Sequence, residues 1–161
     1  MKGAIVMLAT LLAGGAAIAD TVNGVAVSGS ASLTVLTPLS VVQVRGLDFG
    51  AVTSGAAGNV AIDPASGART LDGGVGAAAA KPGAAAQFTI TGRPNAAINV
   101  VVGPTITGLT GGITGATRAG VLPTLLNGTT AAVFVGGSLA IPAHTPAGQY
   151  VGVFTVAVNY P

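Results

Sequence analysis

The sequence predicts an all-β protein, an antiparallel sandwich or barrel, and three observations carry that prediction. Short stretches of strand-forming residues recur along the chain with Gly, Pro and Asn between them, no stretch keeps a trustworthy helical period, and the segment 148–160 (GQYVGVFTVAVNY) sets its large apolar side chains, Val151 and Val153 apart, on one parity. In that segment the even positions read Tyr150, Gly152, Phe154, Val156, Val158 and Tyr160, while Thr155, Ala157 and Asn159 are odd. Successive Cβ atoms of a strand point to opposite faces, so the even face is made for burial and the odd face can meet solvent. A strand this apolar needs neighbours on its sheet.

From the start of the chain, Lys2, the uncharged apolar run 4–12 and the small-x-small sequence Ala17-Ile18-Ala19 read as a secretory signal peptide over residues 1–19, with Asp20 as the mature N-terminus. A membrane anchor is the competing reading, but the uncharged run 3–19 is short, rich in Ala and Gly, and no basic cluster follows it. Residues 20–36 form an N-terminal strand in which Val25, Val27, Gly29, Ala31, Leu33 and Val35 share one parity. Thr37-Pro38 breaks the chain, and 37–161 is expected to be one β-sandwich body. Strands are expected at 39–44, 47–52, 59–62, 86–91, 97–102, 131–135, 138–141 and along the tail 150–160. The stretch 73–86 is nearly all Gly and Ala and reads as a loop. The Thr/Gly-rich stretch 105–127 is open between a connection with a short edge strand and a helical turn near Leu125.

Composition narrows the function. Charged residues are 6% of the chain, against about 25% in an average soluble protein, and there is no Glu. Such a surface does little to keep copies apart, which suits a polymeric surface protein. Arg45, Arg69, Lys81, Arg93 and Arg118 are spread singly, so no basic patch offers itself to nucleic acid. There is no cysteine, and stability must come from packing and strand pairing.

Chemistry-bearing motifs are absent. His144 is the sole histidine, between Pro142 and Pro146 in a turn, and no Gly-x-Ser-x-Gly elbow accompanies it. Zinc wants several His or Cys ligands, and calcium wants clustered carboxylates, whereas Asp48, Asp63 and Asp72 are isolated. The glycine-rich stretches lack the Lys-Ser/Thr ending of a phosphate loop. Asn127-Gly128-Thr129 matches a glycosylation sequon but is equally a turn signal, the reading we favour. No catalytic residue, cofactor or metal is expected.

Several segments together carry a resemblance. Leu47-Asp48-Phe49-Gly50, Asp63-Pro64 followed by Gly67-Ala68-Arg69-Thr70, Gly73-Gly74-Val75, Phe88 with Gly92 and Pro94, Val135-Gly136-Gly137 with Leu139, and Pro146-Ala147-Gly148 through Tyr160 resemble one exported bacterial family, domain of unknown function four-four-zero-two, from about Leu39 onward. More loosely, the early Leu-Asp-Phe-Gly and the Tyr150–Tyr160 pattern are similar to archaic chaperone-usher pilins and spore-coat U-like proteins. That similarity implies an immunoglobulin-like sandwich that is incomplete. A periplasmic chaperone lends the missing strand, an outer-membrane usher handles export, and the N-terminal extension of the next subunit replaces the lent strand in the fibre. The chain departs from the pilins in having no cysteine pair.

Under that resemblance Val25, Val27, Gly29, Ala31, Leu33 and Val35 are the candidate donor strand, and Tyr150, Phe154, Val156, Val158 and Tyr160 the candidate acceptor-edge core strand. The alternative is a self-contained secreted binding or adhesion module, in which 25–35 folds back as the first strand of its own sandwich. The expected function is a structural subunit of a fimbria or cell-surface fibre, assembled from copies of itself or related subunits. Its route is export through the periplasm to the cell surface, with no nucleic-acid partner and no membrane span after signal cleavage. Intact mass of protein taken from the host envelope is expected to match residues 20–161; retention of residues 1–19 would overturn the export reading.

Overall fold

The computed structural model describes residues 30, 32–35, 37–78 and 81–161. The chain divides into two compact units, Met1–Thr34 and Val35–Pro161, and the fold described below is that of the second. It is all-β: β1 (Ser40–Arg45), β2 (Val52–Ile62), β3 (Arg69–Ala77), β4 (Ala86–Thr91), β5 (Asn99–Val102), β6 (Thr105–Ile106), β7 (Thr114–Ala119), β8 (Thr130–Ile141) and β9 (Val156–Asn159), with no helix among the described residues.

One curled antiparallel sheet runs β1-β4-β8-β2-β3, with β7 also on β8 and β6 on β7; β5 and β9 make a small second sheet. β8 organises the large sheet, pairing its first half with β4 and its second half with both β2 and β7. The apolar sides of the two sheets meet as a β-sandwich. Ala86, Ile90, Val133 and Val135 from the large sheet bury against Ala96, Ile98, Val100 and Leu126, and Phe154, Val156, Val158 and Tyr160 pack onto the same core. Phe88 and Phe154 meet edge to face with ring centroids 6.0 Å apart, an arrangement the ring quadrupoles favour. A second cluster of Val60, Val75 and Ile141 is covered by Phe49, Val52, Leu71 and Leu139.

The structure corrects several boundaries. The predicted loop 73–86 contributes Gly73–Ala77 to β3, because β2 bulges between Ser54 and Gly58 and crowds its partner strand. A Cβ on Gly58 or Gly74 would collide there, and Gly73 takes φ +73°, so glycine marks a crowded ladder and not a loop. The predicted separate strands 131–135 and 138–141 are one strand, β8, since Gly136-Gly137 lets the end of β2 and β7 approach from both sides. Of 47–52 only Val52 is in a strand: Gly50 at φ +76° turns the chain, and Asp48 Oδ1 accepts its N–H at 2.7 Å. Residues 105–127 hold β6 and β7, and Leu125 bridges Ala97 in extended pairing in place of a helical turn.

The β2–β3 hairpin shows how the sequence builds such a turn. Asp63 Oδ1 accepts the Ala65 and Ser66 N–H groups and the Ser66 hydroxyl, while Gly67 at φ +70° donates to the Asp63 carbonyl.

Ile90 is fully buried and Val42 is 57% exposed on the edge strand β1. Ile90→Ala is therefore expected to cost about 2–5 kcal/mol by urea unfolding, and Val42→Thr less than about 0.5 kcal/mol; equal costs would contradict this core.

Candidate functional site

Strand β9 is held from one side. Its register with β5 pairs Asn99 with Asn159 and Val101 with Ala157, and Gly103 N–H donates to the Thr155 carbonyl at 2.8 Å. Hydrogen-bonded pairs alternate in an antiparallel ladder, so the amide groups of Thr155, Ala157 and Asn159 face β5 and those of Val156 and Val158 face away. Upstream, Thr107 and Val153 exchange both N–H···O bonds at 2.9 and 2.8 Å, which turns the amides of Gly152 and Phe154 outward too. No strand among the described residues pairs with this outer edge.

The predicted acceptor-edge strand over 150–160 is thus shorter than expected. Only Val156–Asn159 is ladder-paired, because β5 ends at Val102 and the next residues, Thr105–Ile106, pair with β7, so the chain meets the tail again only at the Thr107–Val153 bridge. The predicted parity holds throughout: Tyr150, Gly152, Phe154, Val156, Val158 and Tyr160 are half-buried, and Val151 and Val153 are 67% and 65% exposed. At the far end the Tyr160 hydroxyl donates to the Thr37 carbonyl at 2.9 Å and accepts the Arg93 N–H at 2.8 Å. Gly92 makes room, since a Cβ there would lie 2.7 Å from that hydroxyl.

Beside this edge lies a groove of ≈ 990 Å³. Val60, Leu139 and Ile141 of the large sheet are in its lining, together with Phe49 and Val52, Gly152 and Phe154, and Ile106 and Leu109. The groove therefore sits over the second, smaller core cluster, whose Val60 and Ile141 are buried beneath the partly buried Phe49, Val52 and Leu139. It offers apolar surface and a row of strand-edge amides, the combination that an extended peptide satisfies. Among the described residues no group of three His, Cys, Asp or Glu comes together. His144 is exposed in the turn after Pro142, at φ +57°.

The segment 47–53 that lines the groove is braced by charge, partly within the lining itself, to which Asp48 and Lys81 both belong. Lys81 Nζ lies 3.1 Å from Asp48 Oδ2, and Asp48 and Ala84 exchange backbone hydrogen bonds of 2.9 and 2.6 Å. Arg69, at the start of β3, points one guanidinium nitrogen, Nη1, at the carbonyls of Phe49 (3.2 Å), Ala51 (3.1 Å) and Lys81 (2.9 Å). The Asp48 carboxyl is held below its ordinary pKa, first by the Gly50 N–H, then by Lys81 as hydrogen-bond donor and charge and by the Arg69 charge, with partial burial opposing them.

Among the candidate donor residues, Val25, Val27, Gly29 and Ala31 lie outside the described residues. Leu33 and Val35 are 87% and 84% exposed and belong to no strand. Of the predicted acceptor-edge residues, Tyr150 and Phe154 are in the groove lining, whereas Val156, Val158 and Tyr160 pack on the other core; sequence reasoning missed the lining by Leu47, Phe49 and Val52 and the contacts of Arg69. The signal was present in the shared parity of Leu47 and Phe49 around a turn-forming Asp-x-Gly.

Because the folded pKa of Asp48 is depressed, its contribution to stability is fully present above the unfolded carboxylate pKa and is lost as pH falls through the folded value. Wild type is expected to exceed Asp48→Asn in melting temperature at neutral pH, and the difference should shrink below about pH 4; a gap that widens in acid would contradict it.

No helix of the described residues is long and apolar enough to cross a membrane. Comparison with curated proteins and with solved structures finds no match. The family described as a domain of unknown function, DUF4402, matches residues 39–160, most of the chain and nearly all of the β-sandwich unit. The chain belongs to the DUF4402 family.

Proposed function

We propose that this protein is a structural subunit of a bacterial fimbria or other cell-surface fibre, joined to its neighbours by strand exchange. The observation that carries the reading is the unpaired outer edge of residues 152–158, which meets a partly apolar groove at Gly152 and Phe154. Residues 25–35 of one copy would add a strand to that edge of the next and set Val25, Val27, Leu33 and Val35 against apolar surface. Burial of each is worth about 1.5–3 kcal/mol, and each new ladder hydrogen bond about 1 kcal/mol. Together these are of the same size as the cost of ordering a strand, about 1–2 kcal/mol per residue. Leu33 and Val35, exposed in the single chain, are available for such a role. Export, and a chaperone that caps the groove in transit, belong to the same reading.

One observation favours a second reading, the self-contained binding or adhesion module. The Tyr160–Thr37 hydrogen bond sets the start of the body beside the end of β9, so the residues before Thr37 can reach the open edge of their own molecule. They would then have to run parallel to β9, with a reversal at Pro38. A strand from another copy is free to enter antiparallel, the pairing that is slightly more stable per residue.

Leu33→Asp separates the readings. A charge carried into an apolar groove costs several kcal/mol but leaves the mutant's own body untouched if the donor acts in another copy. The variant is expected to lose heat-resistant oligomers on electrophoresis and to keep a cooperative melt when a peptide of residues 22–36 is added. Wild-type protein that stays monomeric at high concentration, and melts unchanged without residues 20–36, would overturn strand exchange.

A further inference from the structure

The groove segment 47–53 has little regular structure of its own. Within it Val52 and Thr53 belong to a strand; Asp48 makes an isolated bridge to Ala84, and Gly50 reverses the backbone. Three main-chain carbonyls, those of Phe49 and Ala51 in the segment and that of Lys81 in the crossing loop, converge on Arg69 Nη1. Three carbonyl dipoles aimed at one point repel one another unless a cation stands there, and a guanidinium also supplies the donors they need. Ala51 N–H donates to the same Lys81 oxygen at 3.1 Å, which closes the knot. Gly50 fits it only because it has no side chain: a Cβ would collide with the Lys81 carbonyl and lie 2.5 Å from Arg69 Nη1.

The Asp48–Lys81 ion pair does not substitute for this knot. Its side chains are 42% and 63% exposed, and exposed pairs are worth little. Arg69 comes from β3, at the edge of the large sheet, and has no place in the groove lining. It acts on the groove only through the backbone it holds.

We propose that Arg69 is a positioning residue for the groove: by gathering the Phe49, Ala51 and Lys81 carbonyls on one guanidinium it fixes the segment 47–53 as a preformed wall, so that an arriving strand meets a groove already at its working width. The proposal rests on the strand-exchange reading for the identity of the occupant, but the clamp itself is open to test without any occupant. Preorganisation of this kind raises affinity by removing the cost of ordering the wall during binding.

Hydrogen exchange on the full mature chain tests the clamp alone. In Arg69→Met the Asp48, Ala51 and Ala84 amides, all hydrogen-bonded across this wall, are expected to lose at least tenfold in protection, while Ile90 and Val133 amides in the other core stay as in wild type. Arg69→Lys, which keeps a cation and several donors, should restore part of the protection. The peptide of residues 22–36 tests the consequence. It should bind Arg69→Met at least tenfold more weakly than wild type, with intermediate binding by Arg69→Lys. If wall protection is unchanged in Arg69→Met, or falls while peptide affinity stays at the wild-type value, the positioning role is overturned. If wild type itself takes up no peptide although Arg69→Met loses wall protection, the clamp stands as a structural device, and both the strand-exchange reading and the positioning role built on it fail. Should Arg69→Met not fold, Gly50→Ala displaces the same knot from the other side. The same loss of wall protection and of peptide affinity is expected, and wild-type values for both would overturn the proposal.

Discussion

A strand in an antiparallel sheet turns alternate amide pairs to its two edges, and the tail of this chain has a partner on one edge only among the described residues. In the tail the residues whose amides face outward are the even ones, and these are also the ones whose side chains turn inward to the core. The unpaired edge and the groove meet at Gly152 and Phe154. An occupant that satisfies both must bring backbone groups at strand spacing along 152–158 and apolar side chains that meet the partly buried Phe49, Val52 and Leu139. A small molecule or an amphipathic helix can fill the volume without pairing the amides, since a helix's own amides are already spent. The geometry favours an extended chain on chemical grounds before any partner is considered.

The rest of the fold is organised around close backbone approach, and this is what the chain's glycines do. Gly136 and Gly137 stand where β8 is approached from both sides, and a side chain on either would strike the backbone of β2 or β7. Gly58, Gly73 and Gly74 do the same where β2 bulges against β3. With large side chains scarce at these crossings, the polar backbone itself becomes the material to be organised. That is why one arginine placed among three carbonyls carries so much of the groove's geometry, and why it does so with no carboxylate partner of its own among the described residues.

Local features were legible in the sequence. The strand Ala86–Thr91 was read to the residue, because its apolar pattern is bounded by turn residues on both sides. The inward parity of the tail followed from alternation alone, and Asn127-Gly128 does form a turn, with Gly128 at φ +62° and reciprocal bonds between Asn127 and Thr130. What could not be read depends on a neighbour distant in sequence. Gly73–Ala77 looks like a loop until β2 lies beside it, and Gly136-Gly137 looks like a break until two strands flank it. The groove belongs to this second kind. It combines 47–53 with 145–154, with Val60, Ile106, Leu139 and Ile141 of the large sheet and with Lys81, Leu109 and Ile113, and no local pattern announces that these meet.

The edges of the structure differ in a way that bears on what the groove is for. An unpaired strand edge invites association, and proteins blunt the edges meant to stay free with charge, proline or bulges. β1, at one end of the large sheet, carries Arg45, an irregularity between Gln43 and Arg45, and Pro38 just before it. β3, at the other end, carries Arg69 and Asp72 and runs against a bulge. The outer edge of 152–158 has none of these devices: GVFTVAV contains no charge and no proline, and the two valines of β9 keep strict alternation. β1 and β3 carry such devices and the outer edge of 152–158 does not, a contrast in line with the strand-exchange proposal.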